Sequence, residues 1–475
     1  MGNLTNINDR LTPSVPIEIT FGAQPVATGR KYTTLFGHRA VTGGTALDYT
    51  VYTVTNVGDP VAAQAEVDAL AGVGSQISAM TYAFVNANSS VSEARNFPAF
   101  RIVILPHGEL HFGPNGEAIN AVKFLRTDMF VSCYPTGDAT NRNTLLALAQ
   151  LISGIDRDLQ GQFGSFISLG SIEALTTQEL YAINNKQIIS HSLPDTNTAA
   201  VTGVTATTTT GSNILTAVSS VAGIYEGATI SGIGIPSGAT VETINATTIT
   251  ISASATATGT LIALTIQNVV SQQPEIVAAA CAAVMMQSAF PYNPLQGVVV
   301  GGLVPPRILA DRIDINPSGA SEAALVAGLS PLYTQAGGTV AFIRTRTTYN
   351  LLADNVTTVT AYFDWQDLVL LYDFREDVYG ITQNPPFNNN PGGSKASKAL
   401  ADLLKDEILR EAQSYEDLNA FQGVKTNAPL FLVQPSSTSR GRFDFKVPVN
   451  VIPGLMVIAG NIEAVSGANF GDFTL

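Results

Sequence analysis

Positive charge is scarce in this sequence: 24 Lys and Arg stand against 37 Asp and Glu, and charged residues make up only 13% of the chain. With no block rich in Lys or Arg, nothing suggests a nucleic-acid partner held through its phosphates by counterion release. Cysteine is rarer still, two in 475 residues. Cys133 and Cys281 sit in the apolar contexts FVSCY and AAACAAV, which read as reduced core thiols rather than a disulfide. Long apolar runs are missing as well. The longest, Ile276 to Met286, is about half the ~20 residues a membrane span needs. The start, MGNLTNINDRL, has no basic segment followed by an apolar one, and Asn6 stands where a myristoylation pattern requires Ser or Thr. These absences predict a soluble protein, without membrane insertion, made in the cytoplasm.

What is present is 45% hydrophobic residues, enough for substantial cores, and a length that suggests about three units. KYTTLF (31–36) reads as a buried strand, and PIEITF (16–21) alternates as an exposed one. A helix follows through Ala62 to Leu70, broken at Gly72 and Gly74. Apolar strands then alternate with helical patterns: FRIVILP (100–106), FVSCYP (130–135), a helix over 143–159, FISLG (166–170), a helix near Ile172 to Ile183, and QIISHS (187–192). That rhythm predicts a largely parallel α/β sheet.

From Val201 to Val270 the rhythm stops, and Glu226 and Glu242 are the only charges in a tract of Thr, Ser, Gly and Ala. NILTAVS, ATISG, TVETI, TITISA and LIALTI are β-branched runs separated by Gly, Pro and Asn turns. Because every run carries Ile, Val or Leu, the tract reads as an inserted all-β domain over 203–268 rather than disorder. Helical periodicity resumes at Pro274.

Catalytic signals are weak. The histidines are His38, His107, His111 and His191, and no Gly-x-Ser-x-Gly elbow occurs. In PHGELH the two histidines are at i and i+4, but Pro106 and Gly108 oppose a helix, so a turn with partly exposed histidines is expected instead of a metal site. The glycines around Gly72 and Gly301 lack the Lys of a phosphate loop and read as turns. No catalytic residue, metal or cofactor is indicated.

The segment 293–350 is more distinctive: a loop fixed by Pro305 and Pro306, then Asp311 and Arg312, a short helix at Ser321 to Leu329, the turn Gly337-Gly338, and a strand closing on Thr347 to Tyr349. It resembles the tail sheath proteins of contractile bacteriophages related to phage Mu. GVGSQISAM (72–80), DWQDLVLLYDFREDVYGIT (364–382), the helix SKALADLLKDEILREAQSYED and the stretch RFDFKVPVNVIPGLMVIAGNIE extend the resemblance over most of the chain outside the insertion. Two features depart from it: Arg375 stands almost alone among Asp367, Asp373, Glu376 and Asp377, and the loop NPPFNNNPGG is richer in Pro and Asn.

The resemblance implies an α/β core with a subtilisin-like sheath domain, split into 31–202 and 269–363 by the insertion, and an α+β C-terminal sheath domain over 364–475. It also implies extended terminal arms, the first within 1–30. The implied role is a structural, non-enzymatic subunit of a virion tail, assembled in the host cytoplasm. Its partners would be copies of itself in helically stacked hexameric rings, the tail tube protein, and the baseplate and tail terminator proteins. Subunits that slide past one another stay tied if each donates a strand to its neighbour. Candidate arm residues are Pro16, Ile17, Glu18, Ile19, Thr20 and Phe21, with Ala464, Val465, Phe470 and Phe473; ordinary edge strands are the alternative. On the charged helix, Lys395, Lys398, Lys405, Asp406, Arg410 and Glu411 are candidates for weak ionic contacts with the tube, or simply a solvated face. A second function class is a β-rich tail decoration or adhesive protein acting through the insertion.

Overall fold

A computed structural model describes residues 32–89, 99–153, 164–182, 184–195, 200–268, 272–287, 295–306, 312–313, 319–349, 364–383, 398–435 and 443–452. In chain order the first elements are β1 (Thr33–His38), β2 (Val51–Val54), α1 (Pro60–Ala71), α2 (Gln76–Ser89), β3 (Phe100–Leu105), α3 (Glu117–Val122), β4 (Met129–Val131), α4 (Ala139–Ser153), β5 (Phe166–Ser171), α5 (Leu175–Tyr181) and β6 (Ile188–Ser192). Six strands follow without a helix: β7 (Ala200–Thr208), β8 (Ile214–Leu215), β9 (Thr229–Gly232), β10 (Val241–Asn245), β11 (Thr248–Ile251) and β12 (Gly259–Gln267). The remainder comprises α6 (Pro274–Gln287), α7 (Gly319–Ala327), β13 (Ser330–Thr334), β14 (Val340–Phe342), α8 (Trp365–Gln383), α9 (Lys398–Asp417), β15 (Phe421–Gln422), α10 (Val424–Asn427), β16 (Leu432–Pro435), β17 (Phe443–Lys446) and β18 (Asn450–Val451).

The main sheet has the order β14-β13-β6-β5-β4-β1-β3-β2. Its six inner strands are parallel, while β2 and β14 are antiparallel edges. After β1 the chain lays β3 on one side and β4 on the other, so the winding reverses beside β1. Helices α2 and α6 lie close to the sheet because the strands beneath them carry glycine. A Cβ at Gly37 would sit 2.8 Å from Ile77 Cα, and one at Gly170 would sit 1.9 Å from the Pro274 carbonyl oxygen. Covered in this way, α6 is buried without interruption from Val277 to Gln287, which its uniformly apolar sequence permits. Cys281 on α6 and Cys133 are buried and free, and burial pushes both thiols well above their ordinary pKa.

Strands β7 to β12 make two three-stranded antiparallel sheets, β10-β11-β8 and β7-β12-β9. They enclose a separate core that includes Leu215, Ile230, Ile249, Ile251, Leu264 and Ile266. Ala200 pairs with Gln267, so the chain leaves this unit beside the point where it entered.

Helix α8 joins two cores. Trp365, Leu368 and Val369 pack in the main core, while Leu370, Phe374 and Val378 pack with Leu404 and Ile408 of α9 and with Phe421. The bidentate pair Arg126–Glu376 (2.8 and 3.1 Å) and the pair Arg344–Asp364 (2.7 and 2.9 Å) fasten α8 to the sheet side. Burial opposes the Arg126 charge, yet Asp128 and Glu376 hold its pKa above the usual value.

Two expected strands are shorter than the sequence suggests. In FVSCYP the strand stops at Val131, where Ser132 Oγ accepts from Tyr134 N at 3.0 Å and turns the chain. In the segment ending RTRTTY the strand stops at Phe342. There the buried Arg346 guanidinium donates to the carbonyls of Leu325, Thr347 and Tyr349, consuming groups a ladder would use. Strands β2 and β7 and helix α3 have no counterpart in the expected list.

Candidate functional site

In open α/β sheets the place to look for chemistry is the carboxyl end of the strands, where the winding reverses. At that end of β1, His38 Nδ1 lies 2.6 Å from Gln76 Oε1, and Nε2 lies 2.8 Å from the Glu109 carbonyl oxygen. Gln76 is oriented from its other side, since its Nε2 donates to Glu275 at 2.9 Å and to the Cys133 carbonyl at 3.3 Å. The Tyr134 hydroxyl lies 3.0 Å from the His111 carbonyl and 3.1 Å from that of Glu109.

The Glu109 carboxylate is fully engaged. Oε2 accepts from the Tyr49 hydroxyl at 2.9 Å, and Oε1 accepts from the backbone N–H of Leu110 at 3.0 Å and of His111 at 3.3 Å. The Tyr49 bond, with those of the backbone, lowers the Glu109 pKa. Burial first, and then the same carboxylate, push the Tyr49 phenol up to about 12. Asn141 Nδ2 closes the set by donating to the Leu110 carbonyl at 2.7 Å. With both His38 nitrogens and both Glu109 oxygens committed within the chain, the cluster braces the turn after β3; none of these partners is a serine.

PHGELH therefore forms a turn, as its Pro and Gly indicate, with His107 and His111 exposed. His191 lies elsewhere, wholly buried on β6. The brace was not legible in the sequence: 60 residues separate Tyr49 from Glu109 and 96 separate His38 from Tyr134, and no motif links them.

The other candidates are placed as follows. The arm residues Pro16 to Phe21, Ala464, Val465, Phe470 and Phe473 lie outside the described residues, as does Lys395. Lys398 begins α9. Asp406 and Arg410 are exposed on that helix, and Lys405 and Glu411 are half-buried. Arg410 pairs with Glu407 one turn earlier. Burial, and then neighbouring Asp377, raise the Glu411 pKa. The opposite face, with Ala401, Leu404, Ile408 and Ala412, is buried.

No family model and no curated protein matches the sequence. The fold is nevertheless shared with solved structures. A chain of the anti-feeding prophage baseplate superposes with a TM-score of 0.50 over 96% of this chain and 100% of its own, at 11% identity. A sheath tail protein from Listeria innocua does so with a TM-score of 0.50 over 90% of this chain and 93% of its own, at 8% identity. The chain thus has the fold of sheath tail proteins.

Proposed function

We propose that this protein is a structural, non-enzymatic subunit of a contractile tail sheath of the Mu-related type. It polymerises in stacked hexameric rings around a tail tube and contracts to drive the tube through a host envelope. The observation that carries this reading is the shared fold with a sheath tail protein across 90% of the chain. Its partners in this reading are further copies of itself, the tube, the baseplate and the tail terminator, and its place is the virion. That no helix among the described residues is long and apolar enough to cross a membrane is compatible with this place.

Residues 16–21 and the segment after Glu463 serve in this reading as arms donated to neighbouring sheets, where main-chain hydrogen bonds survive rigid-body motion. The solvent side of α9, with Asp406 and Arg410, faces the tube, its individually weak ionic contacts suiting an interface that must release. Electron microscopy of the purified chain is expected to show tubes or stacked rings. A chain lacking residues 1–21 is expected to remain a folded monomer. Tubes formed by that truncated chain would remove the arm assignment, and a full-length chain that never polymerises would remove the sheath reading.

A further inference from the structure

Asn115 is the one asparagine of the chain that a glycine follows. The pair lies in the turn that leads from Phe112 into α3, where Asn115 is exposed and Phe112 is buried against the rings of Phe36 (5.0 Å) and Tyr134 (5.2 Å). Gly116 has φ +72°, and nothing lies within 4 Å of the position a Cβ would take. Such a pair carries its own chemistry, because with no side chain on the second residue its backbone nitrogen can reach the asparagine amide carbon. In that step the Gly116 nitrogen gives up its proton and bonds to Asn115 Cγ, the Cγ–Nδ2 bond breaks, and ammonia leaves with the proton. Water then opens the cyclic imide at either carbonyl, giving aspartate or an isoaspartyl linkage.

In the folded chain both reacting groups are held. Glu117 Oε1 accepts from Asn115 Nδ2 at 2.9 Å, and Oε2 accepts from the Asn115 backbone N–H at 2.9 Å. The Gly116 N–H donates to the Gly113 carbonyl at 3.0 Å. The nucleophile is thus tied to one neighbour and the leaving group to another, and both bonds must break before nitrogen and carbon meet. The side-chain bond from Asn115, ahead of those from the backbone, lowers the Glu117 pKa, so the carboxylate stays a charged acceptor at neutral pH. Gly113 completes the clamp, since a Cβ there would strike Glu117 Oε2 and crowd the ring of Tyr49. Tyr49 in turn donates to Glu109 in the brace.

We propose that Asn115–Gly116 is a self-modification site of this chain, latent in the folded protein because Glu117 holds it closed, and that Asn115 converts irreversibly to aspartate or isoaspartate once the clamp opens. Conversion replaces the Nδ2 donor by a carboxylate facing that of Glu117, and like charges at that distance repel. The clamp then cannot re-form, and an isoaspartyl linkage also lengthens the main chain between Phe112 and α3. The turn that abuts Tyr49 is loosened in either product. None of this depends on the polymer reading above.

Peptide mapping of the full-length chain kept in mildly alkaline buffer tests this, since it separates the asparagine, aspartate and isoaspartate forms of the segment around residue 115. The folded chain is expected to convert about tenfold more slowly than the same chain in urea, and Glu117→Ala, with circular dichroism unchanged, to recover most of that difference. A chain that does not convert in urea overturns the site. Equal rates in the folded chain and in urea, or a Glu117→Ala rate no faster than that of the unmodified chain, overturn the clamp. Should Glu117→Ala fail to fold, Glu117→Gln, which keeps the size and removes the charge, makes the same comparison.

Discussion

His191 is wholly buried on β6, and neither ring nitrogen has a hydrogen-bond partner among the described residues. Burial lowers its pKa from 6.5 to about 3. The folded state therefore keeps the ring neutral where the unfolded chain protonates it. Stability from this residue is complete above pH 6.5 and declines as pH falls toward 3, by about 1.4 kcal/mol per unit. Urea unfolding at pH 6.5 and 4.5 is expected to show a loss of about 2–3 kcal/mol that His191→Leu lacks; equal losses would mean that the ring is paired. Gly170 makes a steric test of the same region. Gly170→Ala places its Cβ against the Pro274 carbonyl and is expected to cost about 3 kcal/mol or more. Gly58→Ala, which meets nothing within 4 Å, is expected to stay within about 0.5 kcal/mol.

Among the elements, α8 determines how the two large cores are joined, since its first turns belong to one and its middle to the other. The Arg126–Glu376 pair is about 30% exposed on both sides, so screening limits its worth. Glu376→Gln is expected to cost about 1 kcal/mol at low ionic strength and less at high salt, measured as a shift in unfolding midpoint. A salt-independent loss would point to packing instead. On α9, charge reversal at Arg410, which is exposed, is expected to leave folding within about 0.5 kcal/mol and to weaken co-sedimentation with tail tubes. Unchanged co-sedimentation would move the tube contact to another face. The α9 stripe was readable as periodicity, because a helix places Ala401, Leu404, Ile408 and Ala412 on one side whatever its surroundings. The end of β4 was not, because the Ser132 turn competes with a sheet neighbour for the same backbone.

For the whole molecule, the unit formed by β7 to β12 is the largest feature open to removal. It has its own core, and its ends pair through Ala200 and Gln267. Replacing residues 205–266 with a short Gly/Ser linker is expected to preserve folding, polymerisation and contraction, as it would if the unit sits on the outside of the polymer. Loss of tube formation in this variant would make the unit part of the lattice.

By itself the sequence determined most of the kinds of element and their order, though not β2, β7 or α3. Alternating apolar strands and amphipathic helices specify a parallel sheet because each periodicity can bury only one kind of face. The Thr-rich runs specify β structure because branched side chains favour the pleated surface. The tertiary structure alone decided which strand lies beside which, and hence where the winding reverses beside β1. It also decided that His38, Tyr49, Gln76, Glu109, Tyr134 and Asn141 meet in one brace. These residues come from segments far apart in the chain, and hydrogen bonds among them depend on positions in space that no local pattern encodes.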